Sequence, residues 1–216
     1  MATFIDVHQK GDAGIEKTLA DLPGCNGTGL FLDITSSTEI KYKKGFKDWV
    51  LLLKNTFNLL GLQDKLRNNI IKYIGDEIMI FIPDDVLLSE DLSIYDYYTL
   101  LQEIYATVDI LKMLHVEMVH MKCKVAIHYC KEVYNITFFK GYNDYYGKDI
   151  DLTARLLSKA DENRIVISEL FYQKVLMDLN KKQMPITSGC LEYVSDTRSG
   201  LFKGIPNSIP FRLLSA

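Results

Sequence analysis

The stretch NIIKYIGDEIMIFI, residues 69–82, reads as strand, tight turn and strand, with Gly75-Asp76 at the bend. A hairpin in mid-chain constrains its neighbours, because its two strands must pair antiparallel and still bury an apolar face. Before it, GLFLDI (29–34) has the pattern of a buried strand, and GFKDWVLLLKNTFNLLGL (45–62) spaces apolar residues as a helix does. After it, SIYDYYTLLQEIYATVDILKML (93–114) predicts a second amphipathic helix, and MKCKVAIHYCKEVYNITFF (121–139) alternates as one or two strands. GKDIDLTARLLSKA (147–160) predicts a third helix, followed by the strand RIVIS, the helix ELFYQKVLMDL and closing β-structure. The hydroxyl residues in TSSTEIKYKK, after the first strand, suit a helix N-terminus.

That order, βαββαβ with a further helix and C-terminal strands, predicts an α+β fold. It is an α/β sandwich with a ferredoxin-like core, antiparallel pairs and helices over one face. Residues 1–26 read as an N-terminal arm ending at the turn LPGCNGTG, and residues 27–216 as one domain. Hydrophobic content of 48% and charged content of 25% match a chain with a full core. A net charge of -3, without any block of like charges, gives no pull toward nucleic acid or anionic lipid. No run of apolar residues is long enough for a transmembrane helix, and the N-terminus lacks a secretory signal, so a cytoplasmic protein is expected. Cys25, Cys123, Cys130 and Cys190 form no C-x-x-C pair and are expected to act as small buried hydrophobes.

Two acids stand out. Asp33 closes the first strand and Asp76 sits on the hairpin turn, and a ferredoxin-like order brings these two points to one end of the sheet. Two carboxylates so placed suit a pair of divalent cations about 3.5–4 Å apart. All-oxygen ligation favours Mg²⁺ or Mn²⁺, with phosphates completing the shell. The plainer reading is that Asp33 caps the next helix and Asp76 fills a turn. Glu77 reads as a solvated neighbour.

Five segments in order now resemble the class III nucleotidyl cyclases. FLDITSST resembles their F-x-D-I-x-G-[FS]-T start, and KYIGDEIMIF their K-x-x-G-D-x-x-M hairpin. VAIHYC is similar to G-I-H-x-G. YYGKDIDLTARLLSKADENRIVIS resembles the G-x-x-V-N-x-A-A-R-L segment with its G-x-I-x-V-S strand, and LFKGI the terminal L-K-G-[IV]. The resemblance implies a palm fold that turns a nucleoside triphosphate into a 3′,5′-cyclic nucleotide and pyrophosphate. It implies that Asp33 and Asp76, with the Ile34 carbonyl, hold two Mg²⁺ or Mn²⁺ ions. Arg155 falls at the family's transition-state arginine, Lys203 at its phosphate-binding lysine, and Lys72 and Asp144 at its base-reading positions. The Thr38 position closes the phosphate-facing turn. Family members build such sites across a head-to-tail dimer, so a homodimer with composite sites is implied.

The match departs in places. Ser36 replaces a glycine in the phosphate-facing turn. Asp151 stands where the family has an Asn that steadies the ribose; an ionised Asp only accepts hydrogen bonds. It is expected to accept from a ribose hydroxyl or from Arg155, or to stay protonated. The Lys72–Asp144 pair is that of adenylate cyclases, and guanylate cyclases usually carry Glu and Cys. It also complements cytosine and uracil. Trp49 is expected to border the base pocket and to favour a single ring, unless it is simply a core tryptophan. The chain resembles the stand-alone bacterial cyclases that make cyclic UMP or cyclic CMP as an anti-phage alarm for a separately encoded effector. The substrate expected is therefore UTP, or CTP, with ATP as the alternative and an inactive binding module as a second alternative. A diguanylate cyclase is disfavoured, since Ile74 replaces the first glycine of the GGDEF motif.

Overall fold

The computed structural model describes residues 2–6, 13–35, 37–60, 64–89, 96–113, 115–116, 119–139 and 141–216. The chain begins with β1 (Thr3–Phe4), α1 (Ala13–Ala20) and β2 (Cys25–Asp33). Then come α2 (Ser37–Lys43), α3 (Phe46–Leu60) and α4 (Asp64–Asn68) before the hairpin of β3 (Ile70–Ile74) and β4 (Glu77–Pro83). Next are α5 (Asp84–Leu87), α6 (Tyr97–Met113), the small pair β5 (His115–Val116) and β6 (Val119–His120), and β7 (Lys124–Thr137). The chain ends with β8 (Tyr145–Tyr146), α7 (Lys148–Leu156), β9 (Arg164–Ser168), α8 (Glu169–Lys181), β10 (Arg198–Gly200) and β11 (Ile209–Ser215).

The main sheet runs β10-β11-β9-β7-β2-β4-β3, and β1 and β8 add short pairings to the far half of β7. Its β7-β2-β4-β3 part is antiparallel throughout and carries the ferredoxin-like order. β9 then joins β7 in parallel, and β11 returns antiparallel beside it. Residues 121–139 thus yield one long strand. Gly75 takes a φ of 69° at the hairpin bend, a conformation glycine adopts without steric cost.

Successive strand residues point to opposite faces, and here both faces are covered. Leu30 and Leu32, Ile78, Ile80 and Ile82, Val125 and Ile127 form one core with Leu52 of α3, Leu100, Leu101 and Ile104 of α6, and Phe171 and Val175 of α8. Phe31, Met79, Phe81, Ala126 and Val166 form a second core with Ile150, Leu152 and Leu156 of α7. The expectation of helices over one face is corrected: α7 lies on the face opposite α3, α6 and α8. The physical reason is visible in IMIFI, where all five residues are buried and neither parity can face water. Among the described residues, no helix is long and apolar enough to cross a membrane. Cys123, Cys130 and Cys190 are buried, Cys25 is half-buried, and all four are free thiols.

The β2–β4 seam is tight at Gly27, where the β2–β7 register also shifts. A Cβ there would come 2.8 Å from the Phe81 ring and 2.9 Å from the Pro83 Cα, in addition to striking the Ile82 carbonyl. Gly27→Ala is expected to cost about 1–3 kcal/mol through this overpacking. Urea unfolding checks it: the midpoint drops while the slope stays the same.

Candidate active site

Asp33 is the last residue of β2, flanked by Glu77 on β4 and Lys124 on β7. The next amide, from Ile34, donates to the Asp76 carbonyl at 3.4 Å and ties the hairpin tip to the strand end. The two acids therefore meet at one end of the sheet. Burial, together with the Asp76 charge, raises the Asp33 pKa from its ordinary value. Glu77 is likewise raised, by burial and then by Asp33 and Asp76. Glu77 is thus a half-buried member of the acidic cluster rather than a solvated neighbour, because the register of β2 against β4 sets it directly across from Asp33. The Ile34 carbonyl accepts the Ser37 amide at 3.0 Å and keeps a second lone pair.

Oxygen donors that repel one another fit hard divalent cations. Among the described residues, no group of three or more His, Cys, Asp or Glu side chains is arranged to hold a metal. Asp33 and Asp76 would hold such ions only with oxygens from a ligand and from water, the usual habit of Mg²⁺.

Beside this end lies a cavity of about 350 Å³ lined by Ser37, Thr38, Lys41, Tyr42, Trp49, Gly75 and Asp76. The Trp49 indole N–H donates to Ser37 Oγ at 2.7 Å. Ser36 lies outside the described residues. Trp49 packs against the core of α3 and α6.

A second cavity, of about 230 Å³, opens on the other face of the sheet. Its walls include Phe31, Lys72, Ile74, Met79, Tyr146 and Asp151. Lys72 Nζ donates to both Asp144 oxygens, at 2.9 and 2.8 Å, and lies 5.6 Å from the Tyr146 ring centroid. The expectation that Trp49 borders the pocket of Lys72 and Asp144 is not met within one chain. Trp49 belongs to the face of α3, whereas that pocket lies on the face of α7.

Asp151 sits exposed in α7, one turn before Arg155. The Arg155 guanidinium reaches the loop after β10 and donates to the Lys203 carbonyl at 2.5 Å. Arg155 and Lys203 are thereby brought together, with the guanidinium bonded to the Lys203 carbonyl. Asp149, on the first turn of α7, accepts the Lys131 amide at 2.6 Å and lies 3.8 Å from the buried His128 imidazole. These contacts fix the helix that carries Asp151 and Arg155 to β7. Sequence reading took Glu77 for a solvated neighbour and did not single out Lys41 or Tyr146; the strand register and the cavity walls do.

The fold agrees with what comparison finds. Residues 26–189 match the model of the adenylate and guanylate cyclase catalytic domain. The chain belongs to that family. Among solved structures, the adenylyl cyclase CyaB from P. aeruginosa aligns with a TM-score of 0.65 at 18% identity, over 91% of this chain and 96% of that one. The guanylate cyclase domain of RhGC from Catenaria anguillulae, solved in complex with GTP, aligns with a TM-score of 0.63 at 14% identity, over 89% and 97%. An unconventional dimer of the guanylyl cyclase domain of the RhoGC fusion protein from Blastocladiella emersonii gives 0.59 at 14%, over 88% and 96%. No curated protein matches the sequence. This nucleotidyl cyclase catalytic domain carries one of these cavities beside Asp76 and the other beside Lys72.

Proposed function

We propose that this cyclase domain converts UTP, or CTP, into the 3′,5′-cyclic monophosphate and pyrophosphate, and that residues 27–216 form the catalytic unit with residues 1–26 as an arm. The observation that carries the reading is the backbone link from Ile34 to Asp76, which sets both acids at one end of a cyclase-family sheet. Asp33, Asp76 and the Ile34 carbonyl would hold two Mg²⁺ or Mn²⁺ ions. Bound there, such ions make the ribose 3′-hydroxyl more acidic and offset the charge of the β- and γ-phosphates.

The remaining roles belong to the chain. The 3′-oxygen bonds to the α-phosphorus as the bridging oxygen to the β-phosphorus departs with pyrophosphate. The Arg155 guanidinium suits the charge that grows on that bridging oxygen, and Lys203 suits the phosphates. Asp151 accepts a hydrogen bond from a ribose hydroxyl. Lys72 donates to a base acceptor, and Asp144 accepts from the neighbouring N–H. The aromatic walls of Phe31 and Tyr146 support a single ring beside that pair.

The two half-sites lie in separate cavities of one chain. A complete site then needs a second copy, which supports a homodimer with shared sites. In this reading the product is a second messenger for a separately encoded cyclic-nucleotide-binding effector, as in the bacterial anti-phage cyclases that the chain resembles, and the setting is cytoplasmic.

Incubation of the purified chain with each of the four nucleoside triphosphates and Mn²⁺, with products resolved by mass spectrometry, tests the reading. Cyclic UMP or cyclic CMP should exceed cyclic AMP. Preference for ATP would leave an adenylate cyclase, since the Lys72–Asp144 pair complements the adenine edge as well. No product from any of the four would leave a binding module.

A further inference from the structure

Ser37, Thr38 and Lys41 share one face of α2, and all three line the cavity beside Asp76. The neighbouring Lys43 is paired with Glu39 at 3.0 Å. Lys41 forms no ion pair among the described residues; its ammonium lies 4.8 Å from the centroid of the Trp49 ring. That ring is itself fixed. Its N–H is bonded to the buried Ser37 hydroxyl at 2.7 Å, and Phe46 stands at 5.7 Å on a tilted plane. A lysine side chain is otherwise a flexible four-carbon stem, so a fixed aromatic face restricts where its charge can go.

We propose that Lys41 binds the terminal phosphates of the substrate, and that Trp49 is the platform that holds its ammonium beside Asp76. The inference rests on the nucleotide reading above and adds a residue to it. An ammonium held on an aromatic face with no carboxylate partner among the described residues is open to an anion, and the cavity supplies the Thr38 hydroxyl as a second donor toward one. The cavity adjoins Asp76, where the proposed ions would offset the charge of the β- and γ-phosphates, so it meets the phosphate end of the ligand. A triphosphate approaching Asp33, Asp76 and Glu77 meets three acids, and Lys41 adds a positive charge at their rim. Trp49 then has a task different from narrowing the base pocket.

Isothermal titration of the full chain with tripolyphosphate and Mn²⁺ tests this, because tripolyphosphate has the charges of the substrate and no base. Lys41→Ala is expected to weaken tripolyphosphate binding about tenfold, the loss of one charge-assisted contact. Lys41→Arg should retain most of the affinity. Trp49→Leu should weaken it in the same direction while leaving Mn²⁺ affinity unchanged. Tripolyphosphate binding that is indifferent to Lys41→Ala overturns the proposal. So does a loss seen with UTP but not with tripolyphosphate, which would make Lys41 a reader of the base. A wild-type chain that binds neither ligand overturns this proposal together with the nucleotide reading.

Discussion

Asp33→Ala and Asp76→Ala are each expected to lower cyclisation by about a thousandfold or more, because a Lewis-acid ion supplies several kcal/mol to a phosphoryl transition state. The fold survives both changes. Asp33 ends a strand and Asp76 sits on a turn, so neither substitution opens a cavity in either core. A binding readout accompanies the rate. Mn²⁺ is expected to raise the melting temperature of the wild type by mass action on the folded state, and to do so less in the Asp33→Ala chain. Normal turnover by either variant removes the two-carboxylate site from the mechanism. An unchanged Mn²⁺ response places the ions elsewhere.

Arg155→Ala alone is expected to lower turnover by about 10²–10³, the usual cost of one donor to transition-state charge. Mixed with an Asp76→Ala chain, it should regain activity. Each chain then supplies the half that the other lacks. With random pairing, half of the dimers are mixed and one of their two sites is whole, which predicts about a quarter of the wild-type rate. Mixed dimers that form and stay inactive show that no site is shared between chains.

The hairpin and its acids were readable from sequence because each depends on a local rule. Gly75-Asp76 needs one residue with positive φ, and the βαββ order brings the end of β2 to the tip of that hairpin. Glu77 was not readable, because its place across from Asp33 depends on the β2–β4 register, and nothing near Glu77 encodes that register. The side of the sheet that carries Trp49 was not readable for a related reason. Helical spacing says that α3 has an apolar face but not which side of the sheet that face covers. The runs GLFLDI and IMIFI are apolar at every position, so they accept a helix on either side. The choice of α7 for the second face comes from connections that the pattern leaves open. Lys41 looked like any surface lysine until Ser37 and Trp49 were seen to meet.

The Lys72–Asp144 pair has a consequence for how a base is chosen. Each charge of the pair has its partner at 2.8 Å, so a base gains entry only by replacing that bond. The lysine side chain is 39% exposed and the aspartate 18%, so the pair itself is weak and easily exchanged. An edge with both an acceptor and a donor restores what it displaces and gains little. An edge with only one leaves a charge without its partner, a cost of about 1–3 kcal/mol that water at the part-exposed lysine offsets only in part. If Lys72 and Asp144 read the base as proposed, the pocket selects by veto more than by attraction. Free nucleosides, which lack the phosphates, are then expected to be poor competitors however well their edges fit.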